Sequence, residues 1–295
     1  MNVNQVLAII NIVMAGMFGA VIGSFTNVCI YRIPEHRTIV KGHSMCMTCG
    51  HELGALDLVP IFSWLCLGGK CRYCKTPISS RYIKIESLTA LMYILMACTH
   101  LSMFLDPVDP KANLFPFVVL CALFIMINIV IVEMMIMKDT GSSMFRLSTA
   151  LLIDLAVQVL FRVLDVALTE KLGWGTPAVS TSASALAVDL LVEILIGAAI
   201  GLVAVVLAVL ITNDPKRLSR YFKSDKTRAF RTSDLFAIVL CACIGVIPAI
   251  ICAAVYLISR IAIGTGKNVK YLGIWLAAGA AVGYFGYAFF NMLVG

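Results

Sequence analysis

Seven long apolar runs, separated by polar connections and one cysteine-bearing segment, set the pattern of this chain. They cover Val6–Tyr31, Ser87–Leu105, Phe115–Met137, Leu147–Leu168, Ala185–Ile211, Asp234–Ile263 and Tyr271–Val294. Each is close to, or longer than, the roughly 20 residues that a helix needs to cross a bilayer. Val6–Tyr31 is too long and too interrupted by glycine for a cleaved signal peptide, and no basic stretch precedes it. It reads as a retained first helix. Asp234–Ile263 contains Gly245 and Pro248, which predict two shorter helices, Asp234–Gly245 and Pro248–Ile263, that dip into the membrane and return. The first of these would rise only about 18 Å. The pattern thus predicts an all-α polytopic membrane protein with about eight membrane helices, one or two of them half-length. Its parts are a first transmembrane helix (residues 1–31), a cytoplasmic loop domain (32–85) and a transmembrane bundle (86–295).

Composition agrees with this and excludes other classes. Of 295 residues, 61% are hydrophobic and 13% charged, against about 45–50% and about 25% in soluble globular proteins. That leaves too little polar surface for an ordinary soluble enzyme, and far too much apolar sequence for a disordered chain. The net charge of +7 raises the question of nucleic acid, which the placement of the bases answers. Arg32–Lys84 holds eight Lys and Arg residues and Asn213–Ser233 holds seven, whereas Pro107–Asn113 and Thr169–Ser184 hold one each. Basic loops stay cytoplasmic, so the N-terminus is outside and the cysteine segment inside. With the half-helix reading, Lys138–Arg146 and the bases Arg260, Lys267 and Lys270 fall on the same side. Topology accounts for the charge, and no nucleic-acid partner is needed.

Four of the eleven cysteines form a pattern: Cys46-Met-Thr-Cys49, twenty-one intervening residues, then Cys71-Arg-Tyr-Cys74. Two such knuckles at this separation point to one tetrahedral zinc. Four thiolates leave no open position, so the metal is structural and supplies folding energy to a small loop domain. Two disulfides are the alternative, which a reducing cytoplasm disfavours. His43 and His51 flank the first knuckle as ordinary loop residues. Cys29, Cys66, Cys98, Cys121, Cys241, Cys243 and Cys252 read as small hydrophobes.

Carboxylates inside apolar runs are the other anomaly, because charge near mid-bilayer is expensive. Glu133, Asp154, Asp165, Asp189, Glu193 and Asp234 qualify, and Glu86 opens the second helix. Asp165 lies three residues from Arg162 and pairs with it. Asp189 and Glu193 are an i,i+4 pair near the outer helix end, interfacial or facing the bundle. Asp154 has no base nearby in sequence. Glu133, near the cytoplasmic end of the third helix, and Asp234, opening the sixth, share one depth. Two readings of this pair stand: helix-end acids facing headgroup water, or two carboxylates sharing a proton for hydrolysis. Asp139, in a Gly/Ser loop beyond Glu133, is an alternative first acid.

The run Gly23-Ser24-Phe25-Thr26-Asn27-Val28-Cys29-Ile30-Tyr31-Arg32-Ile33-Pro34 resembles the opening signature of the type IV prepilin peptidases. So does Cys46…Cys49…Asp57-Leu58-Val59-Pro60…Ser63…Cys71…Cys74…Ile78-Ser79…Arg81-Tyr82…Glu86. The likeness covers about residues 19–95. It implies an inner-membrane enzyme with a cytoplasmic zinc domain. Such an enzyme removes the short basic leader of prepilin or pseudopilin-like membrane proteins and methylates the new N-terminus with S-adenosylmethionine. It also implies that Glu133 and Asp234 stand where the family carries two catalytic aspartates. The family's GxGD has become Arg231-Thr232-Ser233-Asp234, and the lysine two residues on is Phe236. Two functions follow: an aspartic-type endopeptidase, or a non-enzymatic relative that binds the same substrates or assembly partners.

Overall fold

The computed structural model describes residues 3–100, 114–141, 143–172, 183–211, 228–263 and 270–294. Among these there is no strand beyond two isolated bridges, Met45 with Glu52 and Lys70 with Pro77. The chain divides into two compact units, Met1–Leu105 and Asp106–Gly295.

The first unit pairs two long helices. α1 runs from Val3 to Arg32 and α3 from Arg81 to Thr99, with a 3₁₀ turn at Ala55–Asp57 and the short α2 (Phe62–Cys66) between them. The helices lie antiparallel, and glycine sets their closeness. A Cβ added at Gly19 would fall 2.8 Å from Ala90 Cα, and one at Gly23 would fall 2.8 Å from Glu86 Cα. Toward the end that carries the knuckles Asn27 Nδ2 donates to the Tyr82 carbonyl at 3.4 Å. The Tyr31 ring sits 6.0 Å from the Tyr82 ring, with the Arg81 guanidinium 5.1 Å from its centre. This register brings Arg32 and Arg81 to one level.

The second unit is a bundle of α4 (Leu114–Thr140), α5 (Phe145–Leu172), α6 (Ala183–Ile211), α7 (Arg228–Cys243), α8 (Val246–Ile263) and α9 (Leu272–Val294). α7 packs against α5, α6, α8 and α9, and α4 packs against α5 and α9. The break between α7 and α8 falls at Gly245, which adopts φ +84°, a conformation natural to glycine alone. Among the described residues five helices are long and apolar enough to cross a membrane: Gln5–Arg32, Arg81–Thr99, Phe117–Thr140, Ser184–Ile211 and Leu272–Leu293. Thr232–Cys243 and Val246–Ala262 are shorter apolar helices. α5 is long enough but carries Arg146, Asp154, Arg162 and Asp165. The protein is an all-α polytopic membrane protein.

Three details differ from the sequence pattern. α7 begins at Arg228, so Asp234 lies nearly two turns inside the helix rather than opening it. With both motif glycines replaced, nothing in Arg231-Thr232-Ser233 stops the helix from extending backward. α4 likewise runs on to Thr140, which puts Asp139 in its last turn, exposed, and not in a loop. Arg260 lies within α8 and is buried, not in a cytoplasmic connection. The connection Pro107–Asn113, and most of Gly264–Lys270, Thr169–Ser184 and Asn213–Ser233, lie outside the described residues.

Candidate functional site

The two cysteine knuckles are built alike. Cys46 N–H donates to the His51 carbonyl at 2.9 Å and Gly50 N–H to the Cys46 carbonyl at 2.8 Å. In the second, Cys71 N–H donates to Thr76 at 2.9 Å and Lys75 N–H to Cys71 at 3.0 Å. The residue after each closing cysteine takes a left-handed conformation, Gly50 at φ +68° and Lys75 at +59°. All four sulfurs lie within 4.8 Å of one another, and Cys46 Sγ is 3.8 Å from Cys74 Sγ. A tetrahedral zinc with Zn–S bonds of about 2.3 Å requires sulfurs about 3.8 Å apart, so the residues fit that ion. No cysteine is in a disulfide.

Polar contacts lock the knuckles together. The Asp57 carboxylate accepts from Arg72 Nε at 2.6 Å, from the Tyr73 hydroxyl at 3.1 Å and from Gly54 N–H at 3.2 Å. The Arg72 hydrogen bond, chiefly, holds that carboxyl below the ordinary carboxylate range. Arg72 and Tyr73 are the two residues between Cys71 and Cys74, and the Tyr73 ring lies 3.6 Å from the His51 ring beyond the first knuckle. Hydrogen bonding with the Thr76 side chain and backbone brings the Cys74 thiol down to about 6.

The acids of the bundle are buried and occupied. Glu133 on α4 is 1% exposed, and both its carboxylate oxygens face Met144 N–H, at 3.3 and 3.4 Å. It thereby satisfies an amide at the start of α5, where a negative charge also meets the positive end of the helix dipole. Asp234 on α7 is 3% exposed. Tyr256 donates its hydroxyl to Asp234 Oδ1, and Arg260 Nη2 lies 3.6 Å from the same oxygen. Tyr256 and Arg260 are one turn apart on α8 and themselves buried. Sequence reasoning missed both as partners, although their i,i+4 spacing sets them on one helix face. Glu133 and Asp234 belong to helices that share α5 and α9 as neighbours. Elsewhere Asp154 accepts from Gln158 Nε2 at 2.8 Å. Asp189 and Glu193 are exposed on α6, and Glu86 Oε2 accepts from Ile61 N–H at 2.8 Å.

Residues 17–100 match the bacterial peptidase A24 N-terminal domain. Through this segment the chain is similar to the N-terminal part of the prepilin peptidases. Its relatives include prepilin leader peptidase/N-methyltransferases of Myxococcus xanthus, Aeromonas hydrophila and Vibrio cholerae. The first is 44% identical over 77 residues, which is 26% of this chain and 23% of the relative. The second is 36% identical over 107 residues, covering 28% of this chain and 37% of the relative. The third is 32% identical over 131 residues, covering 41% and 47%. The chain thus spans less than half the length of these relatives. No solved structure matches. The matched segment contains the second half of α1, the knuckles and α3, and neither Glu133 nor Asp234 lies in it.

Proposed function

We propose that this protein is a membrane-embedded aspartic-type endopeptidase. It removes the basic leader of prepilin or pseudopilin-like proteins at the cytoplasmic face of the inner membrane, with a structural zinc held by Cys46, Cys49, Cys71 and Cys74. The observation that supports the reading best is a pair of buried acids, Glu133 and Asp234, on two helices of one bundle, in a chain whose first unit carries the family's domain. In this mechanism one carboxylate takes a proton from water while the other, protonated, hydrogen-bonds the scissile carbonyl. Water oxygen adds to the carbonyl carbon, and the tetrahedral intermediate collapses as the amine leaves with a proton. A cationic leader suits the site, since it stays among anionic headgroups while the hydrophobic segment behind it lies in the bilayer. Methylation of the freed N-terminus from S-adenosylmethionine belongs to the same reading.

The test is cleavage of the cell's own prepilin-like proteins by zinc-loaded protein in lipid, read by mass spectrometry. The parent should release the leader and Asp234→Asn should not. Inertness of the parent toward all of them would overturn the reading.

One observation favours a second function, a non-enzymatic relative that binds such substrates or their assembly partners. Asp234 already carries Tyr256 and Arg260, and Glu133 already takes an amide of α5. On this reading the parent and Asp234→Asn retain the substrate equally in a pull-down from detergent extract, and neither cuts it.

A further inference from the structure

The stretch Gly54–Gly69 (Gly-Ala-Leu-Asp-Leu-Val-Pro-Ile-Phe-Ser-Trp-Leu-Cys-Leu-Gly-Gly) contains a single charged residue, Asp57, between the two zinc knuckles. Asp57 is spent internally on Arg72, Tyr73 and Gly54. What remains is an apolar hairpin around α2 with large side chains turned outward. Leu56 is 75% exposed, Phe62 67% and Leu65 55%, with Leu58 and Val59 each at 40%. Such a cluster on a water-facing loop would be a liability. A run of this length is too short to span a bilayer and suits an interfacial segment.

The hairpin's height is fixed by one hydrogen bond. Ile61, in a strained conformation at φ 63°, donates its N–H to Glu86 Oε2 at 2.8 Å. Glu86 lies in the second turn of α3 and faces Gly23 of α1. Gly23 is nine residues inside the cytoplasmic end of α1 at Arg32, a rise of about 13 Å. The segment therefore runs on past Arg32, forms the first knuckle, and folds back along the helix pair to the level at which α3 turns apolar, just after Glu86. Basic residues flank it there: Lys70 follows the hairpin, and Lys84, like Lys70, is exposed.

We propose that the hairpin Gly54–Gly69 lies in the headgroup–hydrocarbon boundary of the cytoplasmic leaflet. Leu56, Leu58, Val59, Phe62 and Leu65 rest against acyl chains, and Lys70 and Lys84 meet anionic headgroups. The occupant is lipid because the hairpin is tied through Glu86 to the side of α1, a helix apolar and long enough to cross a membrane whose Phe18, Val21 and Phe25 are also exposed. Its rim carries positive charge toward an anionic leaflet. The zinc unit is then a monotopic foot and not a domain standing free in the cytoplasm.

The experiment places Phe62→Trp protein, zinc-loaded and full-length, in phosphatidylethanolamine–phosphatidylglycerol vesicles with or without lipid brominated near the headgroup. Emission added over the parent is measured, with Val13→Trp on α1 as the membrane control. Bromolipid should remove most of the added emission, while aqueous iodide leaves it unchanged. Quenching by iodide and not bromolipid would put the hairpin in water and overturn the proposal. Resistance to both would mean that protein covers the patch, which overturns it equally. If Phe62→Trp loses its zinc, Leu65→Trp provides the same readout one turn away. Leader cleavage is not used, so the outcome is independent of the peptidase reading.

Discussion

Burying a lone charge costs several kcal/mol, so the neighbours of Asp234 decide what that residue can do. Tyr256 and Arg260 complete a buried triad with it on α7 and α8. Arg260→Gln strands the Asp234 carboxylate and should lower stability by about 3–5 kcal/mol. Asp234→Leu combined with Arg260→Met should recover much of that loss, measured by thermal unfolding in detergent. Failure of the double variant to recover would show that the two do not act as a pair. Glu133→Asp retracts a carboxyl by one methylene without changing its charge. Under the catalytic reading the cleavage rate should change by on the order of 10²-fold, and a rate equal to the parent's would remove Glu133 from the chemistry. Charge alone made the acids visible in sequence, because carboxylates in apolar runs stand out. Arg260 was not visible as a partner, because a base near the end of an apolar run looks the same whether it faces water or turns inward.

Helices carry most of what was legible. The break at Gly245 and Pro248, the antiparallel hairpin around the cysteines and the knuckles themselves follow from residue types that admit few conformations. The start of α7 was not legible, since its limits depend on glycines that are no longer there. Nor was the partner of each glycine: nothing in the spacing of Gly19 and Gly23 says that Ala90 and Glu86 lie opposite. Gly19→Leu would drive a side chain into the α3 backbone and should cost about 1–3 kcal/mol of stability, read as an earlier melt of the first unit. The knuckles predict about one zinc per chain by metal analysis. Cys71→Ser should lose it, and should expose Trp64, whose indole N–H donates to the Ile78 carbonyl at 3.3 Å, as a red shift in emission. Retention of the metal by that variant would exclude the four-cysteine site.

At the scale of the molecule, the distribution of bases predicts an orientation, and burial of Arg260 leaves Lys267 and Lys270 to mark what we propose as the last cytoplasmic connection. A cysteine introduced at position 270, with the native cysteines silenced, should react with an impermeant thiol reagent only from inside. Labelling from outside would mean that α7 and α8 form one crossing and that their turn at Gly245 is not a return. The α1–α3 register has a further consequence, for chelation. The pair brings Arg32 and Arg81 together, so the 48 residues between them form a ring already closed before any ion arrives. Closing a loop of that length from a free chain costs about 3 kcal/mol, equivalent to on the order of 10²-fold in affinity. A synthetic peptide covering Arg32–Lys84 should therefore hold zinc more weakly than the intact protein by up to about that factor. The helix pair would act as a covalent-like clamp on a metal site to which it gives no ligand.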